Sequence, residues 1–185
     1  MSISAWIAIA VVVVVLIYAI NIYNKLVRNR NMTKEGWSGI DVQLRRRYDL
    51  IPNLLETVKG YASHEKGVFE EVTKLRAAGM NAGSITDQVQ AEKALTGALG
   101  RLFAVAEAYP DLKADANFRS LQEELSEIED HLQMARRYYN GTARELNILV
   151  ESFPSVLVAK SFGFTTEPYY EIGDPAAAAV PKVAF

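Results

Sequence analysis

The sequence has no cysteine and only two histidines, His64 and His131, among its 185 residues. The lack of cysteine excludes a disulfide scaffold, thiolate metal sites, iron–sulfur clusters and a cysteine nucleophile. Positive charge is not in excess, because 20 Lys and Arg stand against 22 Asp and Glu. Nucleic-acid binding is therefore disfavoured, since it requires a surplus of basic side chains.

Motifs that carry enzymatic chemistry are also missing. His64 is followed by Glu65, but residue 68 is Val rather than His, so the zinc-binding HExxH helix is not formed. Phosphate-binding glycine loops and the GxSxG nucleophile turn do not occur. We therefore predict a protein that is not an enzyme and that holds no cofactor or metal.

Charge is absent from the first 24 residues, where an almost wholly apolar run extends from Ile3 to Ile22. Twenty helical residues, at about 1.5 Å each, match the roughly 30 Å hydrocarbon core of a bilayer. A cleaved signal peptide is the alternative, but such peptides carry basic residues ahead of the apolar run. Residues 1–24 are thus predicted to be an uncleaved transmembrane anchor.

Four basic residues follow the anchor before the first acidic residue, Glu35. They are Lys25, Arg28, Arg30 and Lys34. The positive-inside rule then predicts an N-terminus outside the cell and a C-terminal part in the cytoplasm. The same side chains are candidates for contact with anionic lipid headgroups, and the alternative is that they only determine topology.

Apolar residues recur at helical spacing from Trp37 and resume at Val68, which predicts a long first helix reaching Ala78 with Pro52 inside it. A Gly-rich loop over residues 79–84 ends at Ser84, a candidate N-cap for a second helix over residues 85–109.

A third helix carries apolar residues at alternating steps of three and four, which is the pattern of a packed heptad seam. The seam positions are Phe118, Leu121, Leu125, Ile128, Leu132, Ala135, Tyr139, Thr142, Leu146, Leu149 and Phe153. Pro154 ends this helix, and residues 155–162 are predicted to form a short helix capped by Gly163. We therefore predict an all-α fold, in which a single transmembrane helix precedes an elongated antiparallel bundle of three long helices and one short helix over residues 25–164.

Polar residues at steps of three and four form a ladder on the first helix. They are Asp41, Arg45, Arg46, Asp49, Asn53 and Glu56. One interpretation is a structural polar network between helices, with partners such as Arg136 and Arg144 on the third helix. The other is a solvated charged face.

The C-terminal tail, residues 165–185, shows no helical period. Its large apolar residues, Tyr169, Tyr170, Ile172 and Phe185, are candidates for docking a partner protein. The alternative is that the tail packs back on its own bundle.

The string from Trp37 to Glu65, which contains LRRRYDLIPNLLETVKGYASHE, closely resembles the signature of the bacterial LemA family. The segments LFAVAEAYP at residues 102–110 and RRYYN at residues 136–140 are similar to later motifs of that family. The resemblance implies a membrane-anchored helical bundle without an established activity, and a magnetosome-associated relative points to membrane organisation. No catalytic residues carry over from it.

Two functions follow from these expectations. The first is a scaffold in the bacterial inner membrane that contacts lipids, forms homo-oligomers and organises or shapes the membrane. The second is an adaptor that docks another envelope protein, such as a membrane protease, through the bundle or the tail.

Overall fold

A computed structural model describes residues 2–171, and within this range the chain is helical and contains no strand. Its helices are α1 (Ile3–Lys59), α2 (Lys66–Met80), α3 (Ile85–Glu107), α4 (Pro110–Ala114), α5 (Ala116–Glu151) and α6 (Ser155–Ser161). The all-α fold with one long apolar helix at the N-terminus is confirmed. Two compact units are present, the first comprising residues 2–40 with 134–169 and the second residues 41–133 with 170–171.

In the first unit, α1 and α5 pack in antiparallel orientation. A Cβ built on Gly36 would lie 3.0 Å from Tyr139 Cα, whereas a Cβ on Gly39 would lie 4.0 Å from Ala135 Cβ. Positions further toward the C-terminus of α1 thus lie opposite positions further toward the N-terminus of α5. The missing side chain at Gly36 lets the two backbones approach closely at this crossing.

The core of the first unit joins three helices at the end of the apolar run. Ile22 and Leu26 of α1 are buried together with Leu146 of α5, Ala159 of α6 and Phe164, which follows α6. The helix that begins in the apolar segment is therefore part of a folded core by its twentieth residue. Hydrophobic burial at these positions holds α1, α5 and α6 together.

The connection from α5 to α6 agrees with the sequence. Helix α5 ends three residues before Pro154, and α6 starts directly after it. Gly163 has a φ of 68°, a left-handed conformation that glycine adopts without steric cost. The predicted short helix and its glycine terminator are confirmed.

The second unit contains an antiparallel pair, α2 and α3. Arg101 Nη2 lies 2.6 Å from Glu71 Oε1, while Gly79, later on α2, approaches Glu92, earlier on α3. The Ser84 side chain accepts a hydrogen bond of 3.1 Å from the backbone N–H of Asp87. The prediction that Ser84 caps the second helix is confirmed.

The prediction that the first helix continues to Ala78 is wrong. Helix α1 runs through Pro52 and ends at Lys59, residues 60–65 form turns, and α2 begins at Lys66. Lys59 Nζ lies 6.0 Å from the centre of the Phe69 ring, and Arg76 Nε donates to the Tyr48 carbonyl, so α2 runs back along α1. Both helices bury an apolar stripe. Because apolar residues have helical spacing both before and after the turn, the sequence pattern does not reveal that the chain reverses direction there. A short helix, α4, starts at Pro110, directly after the predicted end of the second helix at residue 109.

The Gly36 crossing predicts opposite effects at two glycines of α1. Replacing Gly36 by Leu should lower the free energy of unfolding by about 1–3 kcal/mol, because the new side chain must push α5 away. The matched control Gly39→Leu should be neutral or gain up to about 1 kcal/mol, since leucine favours helix more than glycine does. Chemical unfolding of the full chain in detergent, followed by circular dichroism, measures both. Equal stability of the two variants would contradict the close crossing.

Candidate functional site

The first candidate site is the surface of α1 before residue 21. Its large apolar side chains are solvent-exposed, from Ile3 at 81% to Ile20 at 58%. No part of the most apolar 18-residue window is buried, and among the described helices only α1 is long and apolar enough to cross a membrane. A soluble monomer rarely exposes so large a continuous apolar surface. The surface therefore requires an apolar partner, and its length fits a bilayer.

The four basic residues after the apolar run lie in two environments. Lys25, Arg28 and Lys34 are exposed on α1. Arg30 is half-buried, and its guanidinium carbon lies 4.8 Å from the centre of the Phe164 ring. A cation over an aromatic face is attracted by the negative charge of the ring. Arg30 therefore also fixes Phe164 within the first unit, whereas the other three cations are exposed.

Aromatic rings surround the end of the apolar run. The Tyr23 ring lies 4.8 Å from the Phe162 ring and 5.8 Å from the Phe164 ring, measured between ring centres. Tilted and edge-to-face arrangements of this kind are favourable for aromatic pairs. They attach the segment after α6 to α1 at the end of the apolar run.

The polar ladder lies on the surface of α1 in the second unit. Five of its six side chains are exposed, and Asp41 is half-buried. Arg45 pairs with Asp41 at 3.0 Å, and Glu56 pairs with Lys59 at 3.5 Å, both within one helix. Such exposed pairs contribute only about 0.2–0.5 kcal/mol each. The exposed side chains of the ladder therefore match the interpretation of a solvated charged face.

A buried ionic cluster lies next to the ladder and was not expected from the sequence. Arg47 Nη1 contacts Glu92 Oε2 at 3.1 Å and Glu129 Oε2 at 3.4 Å, and Arg47 Nη2 donates to Thr96 Oγ1 at 3.1 Å. Glu92 is completely buried. A charge taken out of water requires such full pairing, so the cluster ties α1, α3 and α5 together within the second unit.

Tyr48 completes this cluster. Its hydroxyl donates to Glu92 Oε1 and accepts a hydrogen bond of 2.7 Å from Gln88 Nε2. Burial raises the pKa of Tyr48 far above its ordinary value, and the Glu92 carboxylate raises it further. The available signal in the sequence was that Gln88 and Glu92 fall on the same helical stripe as Leu95 and Leu99, where polar residues are buried among apolar ones.

The described part of the tail is held against α5 at residues 167 and 168. The Asn147 side chain donates to the Glu167 carbonyl at 2.9 Å and accepts from the Glu167 N–H at 2.8 Å. Tyr139 donates to the Pro168 carbonyl at 2.8 Å, and burial raises the pKa of Tyr139 to about 12. Beyond this attachment, Tyr169 is 43% exposed and Tyr170 is buried. Ile172 and Phe185 lie outside the described residues.

Two further sets of polar groups in the second unit pair with each other. A groove of about 450 Å³ is lined by Arg47, Phe103 and Glu129, and its two charged residues pair with each other. Tyr61 donates to Asp115 at 3.0 Å, and Asp115 also accepts from the Phe118 N–H, which lowers the Asp115 pKa. Within residues 2–171, no group of three His, Cys, Asp or Glu side chains is placed to hold a metal ion.

Comparison with known proteins gives a family and several relatives. A model of the LemA family matches residues 36–185. Magnetosome protein MamQ 2 of Paramagnetospirillum magneticum is 28% identical over 175 residues, covering 80% of this chain and 64% of that protein. Magnetosome protein MamQ of Magnetospirillum gryphiswaldense is 25% identical over 174 residues, with 80% and 64% covered. Protein LemA of Metamycoplasma hominis is 27% identical over 138 residues, with 74% and 63% covered. The chain thus spans slightly less than two thirds of the length of these relatives.

The buried cluster predicts a strong coupling between Arg47 and Glu92. Replacing either residue alone, Arg47→Met or Glu92→Leu, should cost about 3–5 kcal/mol of unfolding free energy, because one charge stays buried without its partner. The double variant should recover much of that loss. The matched control is the exposed pair Asp41 and Arg45, for which the same cycle should give about 0.2–0.5 kcal/mol. Additive effects at Arg47 and Glu92 would contradict the coupling.

Proposed function

Since this chain belongs to the LemA family, we propose that it is a non-enzymatic membrane scaffold that self-associates and organises or shapes the bacterial inner membrane. The observation that carries the proposal is the unburied apolar surface of α1, which continues as one helix into a packed core. A helix in lipid satisfies its own backbone hydrogen bonds, so this segment suits a single membrane span. The relatives named as magnetosome proteins support the same role.

The orientation follows from the basic residues. Lys25, Arg28, Arg30 and Lys34 follow the apolar run directly, and an excess of Lys and Arg marks the cytoplasmic side. We therefore place the N-terminus outside the cell and the helical units in the cytoplasm. Lys25, Arg28 and Lys34 are exposed there to the anionic headgroups of the inner leaflet.

Self-association requires a surface other than the heptad seam, because most of the seam is buried inside the protein. A second stripe on α5 remains open: Met134, Tyr138 and Ile148 are 54%, 45% and 48% exposed. At 100° per residue these three side chains lie within about 80° of one another around the helix. Gly141 lies between them and would have no neighbour within 4 Å of an added Cβ. An apolar stripe of this kind suits packing against a second copy.

A second candidate is the adaptor. Tyr169 presents an exposed side chain directly after the segment that Asn147 and Tyr139 hold on α5. An ordered, exposed aromatic residue is a common anchor in protein interfaces. A partner membrane protein, such as a protease, is the occupant in this case.

Topology is tested by cysteine labelling, which the absence of native cysteine makes unambiguous. In intact spheroplasts, a membrane-impermeant maleimide should label Ser2→Cys, because the N-terminus faces outward. The exposed control Gln122→Cys on α5 should react only after lysis. The reverse pattern would overturn the proposed orientation.

The mass of the full chain in lipid nanodiscs or mild detergent tests self-association. We expect an assembly of several copies by light scattering, after subtraction of lipid or detergent. The variant Met134→Arg/Ile148→Arg should reduce the mass to that of one copy, since like charges would meet on the proposed stripe. The control Val42→Arg, at a residue that is 50% exposed elsewhere, should leave the mass unchanged. A monomeric wild-type protein would contradict self-association and favour the adaptor.

A further inference from the structure

Helix α6 buries two of its small residues and exposes its largest apolar one. Ser155 and Ala159 are buried, whereas Leu157 is 59% exposed. On either side of the helix, Phe153 and Phe162 are 81% and 62% exposed. A surface segment in contact with water alone would be arranged the other way around. This apolar surface, formed by Phe153, Leu157 and Phe162, is called the α6 surface below.

The register between α1 and α5 places the α6 surface beside the end of the apolar run. Gly39 lies opposite Ala135 and Gly36 opposite Tyr139, and the same antiparallel register places Glu151, the last residue of α5, at the level of Tyr23 and Asn24. Direct contacts agree, because the ring centres of Phe162 and Tyr23 lie 4.8 Å apart and Ala159 shares a core with Ile22. Ile22 is the last residue of the apolar run. The α6 surface therefore lies at the depth where the hydrocarbon core of a bilayer would end.

The charges near this surface favour a lipid occupant. In the first unit, exposed cations outnumber exposed acidic residues. The exposed cations are Lys25, Arg28, Lys34, Arg137, Arg144 and Lys160, and the exposed acidic residues are Glu35, Glu145 and Glu151. Amphipathic helices that lie in the membrane interface combine bulky apolar residues with Lys and Arg in this way. Exposed phenylalanine and leucine match the acyl layer, and the neighbouring lysine matches the headgroup layer.

We propose that the α6 surface is a second membrane contact, which inserts into the boundary between headgroups and acyl chains next to α1. The inference rests on the proposed membrane anchoring and adds a lipid-binding site to it. The first unit then contacts the bilayer at two points, the spanning helix and the α6 surface. Because α1 and α6 share one core, the two contacts hold a fixed spacing.

Depth-dependent fluorescence quenching of the full chain in anionic phospholipid vesicles tests the proposal. Single cysteines are introduced into the cysteine-free chain and carry an environment-sensitive fluorophore. Lipids with nitroxides near the headgroup quench labels in the interface, and lipids with nitroxides deep in the acyl chains quench labels near the bilayer centre. Leu157→Cys is the test position, and Val13→Cys, in the middle of the apolar run, is the positive control. Ser38→Cys is the negative control, because it is exposed on α1 about 24 Å beyond Ile22.

We expect the label at position 157 to be quenched at least about twofold more strongly than the label at position 38, as for a residue in the interface. With the label moved to Lys160→Cys, the variant Phe153→Ser/Leu157→Ser should lose that quenching. Both replaced side chains are exposed, so an unchanged circular dichroism spectrum is expected alongside.

Three results would overturn the inference. The first is equal quenching at positions 157 and 38, together with normal quenching at Val13→Cys by deep lipid nitroxides. It would show that the α6 surface does not contact the membrane although the anchor spans it. The second is the absence of quenching at Val13→Cys, which would contradict both the membrane anchor and the α6 contact. Dipolar coupling between spin labels at position 157 of two copies, without lipid quenching, would assign the surface to self-association.

Discussion

Burial of Ile22 and Leu26 between α5 and α6 is the interaction on which the first unit depends. The most apolar part of α1 is not buried within the described chain, and α1 first enters a core at these two side chains. The close crossing at Gly36 and the attachment of Glu167 to Asn147 extend the same packing along α5. The transition from an apolar surface to a protein core thus takes place within one continuous helix.

The core of the second unit differs from that of the first because it contains charged side chains. Glu92 has no exposed surface, and its two carboxylate oxygens are bound by the Arg47 guanidinium and the Tyr48 hydroxyl. Removing a carboxylate from water is unfavourable, and the pairing offsets this cost only in one arrangement of α1 and α3. Such a cluster selects one register of the helices. Apolar packing alone would also tolerate neighbouring registers.

Much of the fold could be predicted because the decisive signals are local. Ser84 and Pro154 mark helix ends through backbone chemistry that operates in any context. The first helix was predicted too long, since the apolar period on either side of Gly60 does not reveal that the chain reverses. The candidate polar site was assigned to the exposed ladder rather than to Arg47 and Glu92. Spacing alone shows that charges share a helix face, but only packing shows which face is buried.

The continuity of α1 has a consequence for the response to bilayer thickness. An apolar helix longer than the local hydrocarbon layer tilts to reduce hydrophobic mismatch. Because Ile22 and Leu26 fasten α1 into the core of the first unit, that unit must turn with the helix. In the proposed anchored state, lipid composition therefore sets the angle that the first unit makes with the membrane plane, without any ligand or change of fold.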